Sequence, residues 1–277
     1  MFIPSTLMRT EADVPVALFL FAHQDDEFGV FAQIEQELRE GRRVRCVYVT
    51  DGAATSSPDV RDAESRMVLQ QLGVPTDDII FIGQQLHIRD CQLHQNVGTF
   101  VDWLDKFINA HPMLDSCFVP AWEGGHPDHD LIHAIAISAL INQSRDIRIL
   151  QYSLYNSRNC PGLFFRLLSP LPENGVVTQS PIAWRDRLRY VRLCLAYPSQ
   201  WRTWMGLFPF ACAHYVLSGV QQLQYVDHAR ILEPPHARPL YYERRGFLDW
   251  PTLRSAVEQL ITQKSVNLTN QNRSLKN

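Results

Sequence analysis

The stretch Val16-Ala17-Leu18-Phe19-Leu20-Phe21-Ala22 is apolar throughout, and the polar cluster His23-Gln24-Asp25-Asp26-Glu27 follows it directly. An uninterrupted apolar run of this kind is typical of a strand that is buried on both faces, as in a parallel sheet. A second polar cluster, His126-Pro127-Asp128-His129-Asp130, follows a later apolar run. Neither cluster would be needed merely to build a core.

Strand-like and helix-like patterns alternate through the first half of the chain. Apolar positions spaced by three and four predict a helix that contains Phe28, Phe31, Ile34 and Leu38 and ends at Gly41. Further strands are predicted at residues 44–49, 79–82, 117–120 and 147–154, and further helices at residues 58–72, 97–108 and 131–141. The alternation predicts an α/β fold with a Rossmann-like, doubly wound, mainly parallel sheet and helices on both faces.

The pattern weakens beyond about residue 155, where only residues 184–195 and 251–261 look clearly helical. We expect a single domain over residues 1–265, with a less regular C-terminal cap from about residue 155 onward. The polar, Asn-rich residues 266–277 are expected to form a flexible tail. The apolar stretch 204–220 is too short and too interrupted for a membrane span of about 20 residues. A buried core segment is expected there, with a substrate wall or a membrane-surface patch as the alternative.

The composition is ordinary for a globular protein, with 45% hydrophobic and 20% charged residues. A net charge of −3 and scattered basic residues give no case for binding a nucleic-acid backbone. The six cysteines are widely spaced and include no Cys-x-x-Cys pair, which predicts reduced thiols. No signal-peptide pattern is evident, so a cytoplasmic location is expected. A homo-oligomer is left open.

Both clusters, and also Thr50-Asp51-Gly52, directly follow predicted strands. Parallel sheets place their sites outside the carboxyl ends of the strands, so these three breaks should converge at one edge. The spacing of three lets His23 and Asp26 point at one metal ion, while Asp25 faces the open side as a base. One of His126 and His129 can complete the metal ligands while the other reaches the substrate. Two nitrogens and one carboxylate describe a catalytic zinc site, and no cysteine lies near either cluster in the sequence.

These residues also carry a resemblance to a known family. Ala22-His23-Gln24-Asp25-Asp26-Glu27 and His126-Pro127-Asp128-His129 resemble the motifs of the PIG-L/LmbE-like family of zinc-dependent N-acetylglucosaminyl deacetylases. The family usually has Pro where this chain has Gln24, and Pro restricts φ where Gln does not. Further agreement comes from Thr50-Asp51-Gly52, from Arg61 and Glu64 followed by Leu72-Gly73, and from Tyr197-Pro198-Ser199-Gln200. The likeness spans about residues 14–200 and is weak in the C-terminal third.

The resemblance implies a role for each motif residue. His23, Asp26 and His129 would bind Zn²⁺, or another divalent metal such as Fe²⁺ or Mn²⁺, and Asp25 would be the general base. His126 would stabilise the oxyanion or protonate the leaving amine, with Asp128 orienting it.

Three further residues are candidates for contact with the substrate. Arg61 matches the family's substrate-binding arginine, with a surface pair to Glu64 as the alternative. Asp90 corresponds loosely to an acidic residue that contacts sugar hydroxyls. Trp122, just before Gly124-Gly125, could stack on a sugar face, with ordinary packing as the alternative.

The expected function is therefore a zinc-dependent hydrolase that removes an acetyl group from an N-acetylated amino sugar or its conjugate. A metal-dependent phosphoesterase is one alternative, although Mg²⁺ prefers oxygen ligands to two histidines. A non-catalytic carbohydrate-binding relative is another, although the proposed base and ligands are all present. The sequence does not name the sugar conjugate. The apolar stretch 204–220 would suit a bulky or lipid-linked aglycone.

Overall fold

A computed structural model gives the fold and describes residues 14–53, 56–141, 143 and 145–274, with side chains described as far as residue 262. The described residues form nine strands, which are β1 (Val16–Phe21), β2 (Arg43–Tyr48), β3 (Ile79–Phe81), β4 (Leu114–Pro120), β5 (Arg148–Tyr152), β6 (Tyr155–Asn156), β7 (Arg166–Leu167), β8 (Val177–Pro181) and β9 (Val220–Tyr225). They also form eight α-helices, which are α1 (Phe31–Arg39), α2 (Pro58–Gln71), α3 (Val97–Ala110), α4 (Pro127–Leu140), α5 (Trp184–Leu193), α6 (Trp201–Ala213), α7 (Tyr241–Arg245) and α8 (Trp250–Ser274).

Seven of these strands build the main sheet, in the order β3-β2-β1-β4-β5-β9-β8. The first five run parallel to one another, whereas β9 is antiparallel to β5 and β8 is antiparallel to β9. The remaining pair, β6 and β7, forms a separate small antiparallel sheet. The sheet is thus mainly parallel with helices around it, which confirms the predicted α/β class.

Strand β1 lies at the middle of the parallel part because both of its faces are apolar. Its side chains alternate, so Leu18 and Leu20 enter one layer of the core while Phe19 and Phe21 enter the other. Helices α3, α4 and α8 cover the first layer, and helices α1, α2, α5 and α6 cover the second. All four side chains are fully buried. This two-sided burial explains why the opening stretch carries no polar residue.

Several element boundaries differ from those that the sequence patterns predict. Helix α1 begins at Phe31 because residues 26–29 form a separate 3₁₀ turn. Helix α4 begins at Pro127 and not at residue 131, so the second polar cluster forms its first turn. The helical backbone of α8 extends to Ser274, over most of the tail predicted at residues 266–277. Residues 275–277 lie outside the described residues, and the flexibility of the tail stays a prediction.

Beyond residue 155, β8 and β9 extend the main sheet at one edge. The expectation of a buried core segment at residues 204–220 holds for one side only, where Trp204, Leu207, Ala211 and Tyr215 are buried in the core. Most of helix α6 comes from this stretch, and its Met205 and Phe210 are 63% and 50% exposed. The sequence pattern predicts burial of the whole segment because apolar residues lie on the exposed positions of α6 as well as on its buried side.

Among the described residues, no helix combines the length and the apolar character that crossing a membrane requires.

Candidate active site

The turn after β1 is organised by the side chain of Asp26. Its Oδ2 atom accepts hydrogen bonds from the backbone N–H groups of Ala22, at 3.0 Å, and of His23, at 2.8 Å. The neighbouring strand contributes Thr50, whose hydroxyl donates to the carbonyl oxygen of Ala22 at 2.7 Å. The first polar cluster and Thr50-Asp51-Gly52 therefore meet at one sheet edge, as the parallel topology predicts.

Asp25 has a backbone conformation that few non-glycine residues adopt, with φ at +123°. Such a conformation costs roughly 1–3 kcal/mol and persists only when the surroundings hold it. The Asp25 N–H donates to Glu27 Oε2 at 3.0 Å, and the indole N–H of Trp204 donates to Asp25 Oδ2 at 3.2 Å. Arg61 lies 3.4 Å from Asp25 Oδ1. Two distant parts of the chain thus hold this carboxylate, and Glu27 holds the backbone of the same residue.

The Asp25 carboxyl has a pKa raised to about 7. Burial is the main cause, and the nearby charges of Asp26 and Glu27 act in the same direction, whereas Arg61 opposes them. A carboxylate with a pKa near neutrality is suited to take up and release a proton.

Three histidines converge beside this turn. Ring nitrogens of His23, His126 and His129 all lie within 4.8 Å of one another. His129, in the first turn of α4, places Nε2 at 3.1 Å from Asp26 Oδ2, and His23 Nδ1 lies 3.6 Å from the same oxygen. The carboxylate of Asp26 therefore sits between His23 and His129, the two histidines that the resemblance groups with it.

Two further carboxylates complete the cluster. Asp90 Oδ1 lies 3.1 Å from His23 Nε2 and 3.7 Å from His126 Nε2, and Asp128 Oδ2 lies 3.5 Å from His23 Nε2. Asp90 is held by its backbone N–H, which donates to Asp51 Oδ1 at 3.0 Å. Burial lowers the pKa of His23, but the surrounding carboxylates outweigh it and the net shift is upward. The same negative field would attract a cation.

His126 is neutral and donates from a defined nitrogen. Burial lowers its pKa to about 3, with the charge of His23 acting in the same direction. Its Nδ1 accepts the backbone N–H of Asp128 at 3.3 Å, which leaves the proton on Nε2. The Asp128 carboxylate lies 3.9 Å from Nδ1 and instead accepts the N–H groups of Cys91, at 2.7 Å, and Leu93, at 3.2 Å. Asp128 therefore contacts His126 through its backbone N–H group, while its carboxylate holds the loop that contains Cys91.

A cysteine lies in this cluster, contrary to the expectation from the sequence. The Cys91 sulfur is 3.3 Å from His126 Nε2. Burial raises the pKa of this thiol, so it is neutral. No local pattern indicates this contact, because the loop between β3 and α3 brings Cys91 to a cluster that is distant along the chain.

Two buried carboxylates to which the sequence assigned no role, Glu123 and Asp130, hold the backbone next to the site. Glu123 is fully buried and accepts the backbone N–H groups of Leu154, at 2.6 Å, and Tyr155, at 2.9 Å. Asp130 accepts the N–H groups of Glu123, at 3.1 Å, and Gly124, at 3.2 Å. Glu123 also accepts the hydroxyl of Ser153, but the backbone partners of both carboxylates leave no signal in the sequence.

Two residues expected to contact the substrate are buried in the protein. Arg61 is 4% exposed and donates to the carbonyl oxygens of Gln24 and Gly52, in addition to its contact with Asp25. Trp122 is fully buried and its indole N–H donates to the carbonyl oxygen of Glu233 at 3.0 Å. The expectation that Trp122 stacks on a sugar is wrong, because a fully buried ring offers no face to a ligand.

The donor set fits a divalent metal ion. His23, His126 and His129 form one group of suitable atoms, and His23, Asp90, His126 and Asp128 form another. Within the described residues, the buried atoms His23 Nε2, Asp90 Oδ1 and His129 Nδ1 make no hydrogen bond of good geometry. Unsatisfied buried polar atoms are costly, and coordination of a cation would satisfy such atoms.

The sequence also matches a model of a known protein family. Residues 18–140 match the family model described as PIG-L: GlcNAc-PI de-N-acetylase. No curated protein gives a significant sequence match.

Several solved structures share the fold. A triple mutant of a deacetylase of the teicoplanin biosynthetic pathway has 18% identity and a TM-score of 0.57, over 77% of this chain and 98% of its own. The A40926 pseudoaglycone deacetylase Dbv21 has 18% identity and a TM-score of 0.55, over 78% of this chain and 98% of its own. A conserved protein from Thermus thermophilus, TT1542, has 18% identity and a TM-score of 0.52, over 80% of this chain and 98% of its own.

At this identity the solved structures establish the fold, and the family model establishes the relationship that the two motifs predicted. Residues 18–140 of this chain are a PIG-L domain, the domain of the GlcNAc-PI de-N-acetylase family.

Proposed function

We propose that the chain is a metal-dependent hydrolase that removes an acetyl group from an N-acetylated amino sugar or its conjugate. The observation that carries the proposal is the arrangement around Asp26. A carboxylate with a pKa of about 7, Asp25, and a neutral imidazole that donates from Nε2, His126, lie beside His23, Asp26 and His129. Metal-dependent amide hydrolysis needs a general base, a hydrogen-bond donor for the oxyanion and a metal ion.

His23, Asp26 and His129 are the residues that would hold the ion. Zn²⁺ suits a set of two imidazoles and one carboxylate, and Fe²⁺ or Mn²⁺ are the alternatives. When bound, such an ion lowers the pKa of water to about 7 and polarises a carbonyl oxygen. A solved structure of the same fold is described as the zinc-inhibited form of the teicoplanin deacetylase Orf2. Metal titrations should therefore include an excess of zinc.

Asp25 would act as the general base. Its carboxylate would accept a proton from the attacking water, a contribution of typically 10²- to 10⁴-fold in rate. Arg61 and Trp204 are positioning residues for it, because both contact its oxygens and neither needs to touch the substrate.

His126 would stabilise the developing oxyanion through its Nε2–H group. Removal of one such donor typically costs about 3–4 kcal/mol of transition-state stabilisation. Since burial keeps His126 neutral, its ring donates a hydrogen bond without adding charge to the site. Asp90, at the rim of the same cluster, is proposed to contact sugar hydroxyls.

The test is an acetate-release assay on a panel of N-acetylglucosamine conjugates, with a generic phosphodiester assayed beside them. The protein is depleted of metal with a chelator and reconstituted with Zn²⁺, Fe²⁺ or Mn²⁺. Acetate release that depends on metal supports the proposal. Cleavage of the phosphodiester without acetate release would identify a phosphoesterase, and metal binding without turnover of any substrate would identify a binding protein.

A further inference from the structure

Helices α5 and α6 each bury one side in the same layer of the core. Tyr190 and Leu193 are the buried side chains of α5, and Trp204, Leu207 and Ala211 are those of α6. Because both helices pack on the same face of the sheet, their outward sides face the same side of the molecule.

The outward sides are apolar and aromatic. Five side chains that are 42–63% exposed lie on them or just beyond α5, namely Trp184, Leu188, Leu195, Trp201 and Met205. Three exposed arginines lie among them, namely Arg185, Arg192 and Arg202. We call these eight residues the α5–α6 face. The solvent-facing side of a surface helix is normally polar, so an apolar and aromatic outward side indicates that a partner covers it.

The charge of this region is opposite to that of the rest of the chain. Residues 184–213, all of which the structure describes, contain five arginines and a single acid, Asp186, whereas the whole chain has a net charge of −3. Asp186 is already paired with Arg189 at 2.9 Å. No acidic side chain therefore belongs to the face, and its partner should be anionic.

The tryptophans of the face are combined with arginines. The guanidinium of Arg202 lies 5.4 Å from the ring centre of Trp201, and that of Arg187 lies 5.5 Å from the ring centre of Trp184. Tryptophan prefers the boundary between lipid chains and headgroups, and arginine can place its stem in apolar surroundings while its charge reaches phosphate. The combination suits a lipid surface.

We propose that the α5–α6 face docks on the surface of an anionic phospholipid bilayer. The apolar side chains enter the headgroup boundary, and Arg185, Arg192 and Arg202 bind lipid phosphates. A second copy of the chain is a poorer partner, because a two-fold contact would set arginines against arginines with no acid between them. Trp204 on the inner side of α6 contacts Asp25. The docked helix is thus the one that also supports the candidate active site.

The experiment measures binding of the full chain to vesicles by co-sedimentation, without substrate, so its result does not depend on the proposed function. Vesicles of phosphatidylcholine are compared with vesicles that also contain phosphatidylglycerol. We expect binding only to the second kind, weakening as salt rises. The triple variant Arg185→Glu, Arg192→Glu, Arg202→Glu should bind at least roughly 100-fold more weakly, since each arginine near an anionic surface contributes about fivefold. Trp201→Ser with Met205→Ser should reduce binding at least about tenfold.

Matched controls change the same kinds of residue elsewhere. Arg39→Glu, Lys106→Glu and Arg254→Glu change the net charge equally at exposed positions of other helices. Met113→Ser with Ile141→Ser removes exposed apolar side chains far from the face in the sequence. Both controls should keep wild-type binding.

Three results would overturn the proposal. The first is no binding of the wild-type chain to phosphatidylglycerol vesicles, as expected if an acidic protein covers the face. The second is equal loss in the face variants and in the controls. The third is a wild-type dimer that Trp201→Ser with Met205→Ser converts to a monomer, since a second copy would then cover the face. If the triple variant does not fold, Arg202→Glu alone is measured in its place and should weaken binding at least about fivefold; unchanged binding would contradict the proposal.

Discussion

Asp25 combines a strained backbone conformation with a carboxyl group whose pKa is raised. Its φ is +123°, and burial together with the charges of Asp26 and Glu27 raises its pKa to about 7. Glu27 accepts the backbone N–H of Asp25, while Arg61 and Trp204 hold its oxygens. The residue is thus fixed before any substrate arrives, as catalysis by a positioned base requires.

Replacement of this base tests its role directly. Asp25→Asn keeps the shape and can still accept the indole N–H of Trp204, but it cannot take a proton. We expect turnover of the N-acetyl substrate to fall at least about 100-fold, with metal content by elemental analysis unchanged. Asp102→Asn, at an exposed position of α3, is the matched control. Wild-type turnover in Asp25→Asn would show that another group is the base.

Removal of a proposed ligand should affect metal before it affects fold. His129→Ala deletes the imidazole that contacts Asp26, and we expect metal occupancy by elemental analysis to drop below about a tenth of the wild-type value. His228→Ala, an exposed histidine, should leave occupancy unchanged. Full occupancy in His129→Ala would remove His129 from the ligand set.

At the scale of elements, the site depends on how α4 begins. Its first turn carries Asp128, His129 and Asp130, and the chain just before it is packed tightly against β6. A Cβ atom at Gly125 would lie 2.0 Å from the carbonyl oxygen of Tyr155. Gly125 is therefore needed for the close approach of one backbone to another.

Gly125→Ala should lower the free energy of unfolding by at least about 2 kcal/mol, because neither backbone can move without disturbing the site. The control is Gly98→Ala in α3, where a Cβ would meet no atom within 4 Å. Alanine favours a helix over glycine by up to about 1 kcal/mol, so Gly98→Ala should leave stability equal or increase it. Denaturant unfolding measures both. Equal stabilities of the two variants would contradict the predicted crowding.

Glu123 fixes the segment that leads into β6. Its carboxylate accepts two backbone N–H groups and the hydroxyl of Ser153. In Glu123→Gln an amide NH₂ group replaces one acceptor oxygen and faces these donors, so we expect a loss of about 1–3 kcal/mol in the free energy of unfolding. Glu258→Gln, on the exposed surface of α8, should lose less than about 0.5 kcal/mol. Equal losses would show that Glu123 is not an anchor.

At the scale of the whole molecule, the metal-binding donors come from three distant parts of the chain. His23 and Asp26 follow β1, Asp90 lies in the loop after β3, and His126 and His129 begin α4. Only the folded sheet brings them together, so an ion at this site should bind the native state and not the unfolded chain.

Chelation should therefore lower the melting temperature of the wild-type chain, and addition of Zn²⁺ should restore it. An ion present at about 100 times its Kd stabilises the native state by about 2.7 kcal/mol. Differential scanning calorimetry measures the shift. In His129→Ala the chelator should have little effect, and a wild-type melting temperature that does not respond to chelator would contradict binding at this cluster.

The sequence by itself determined the parallel part of the sheet and the two motifs at its edge. The reason is local: burial of β1 on both faces requires a continuous apolar run, and strands followed by polar breaks mark the edge where sites form. Hence His23, Asp25, Asp26, His126 and His129 could be chosen without coordinates.

The tertiary structure alone decided which groups surround them. Cys91 and Trp204 reach the site through a loop and a helix that no short-range pattern connects to it. The burial of Trp122 and the exposure of one side of α6 could not be predicted either, because the identity of an apolar residue does not show whether it lies in the core or on the surface. Local periodicity encodes elements, whereas contacts between distant segments arise only when those elements pack.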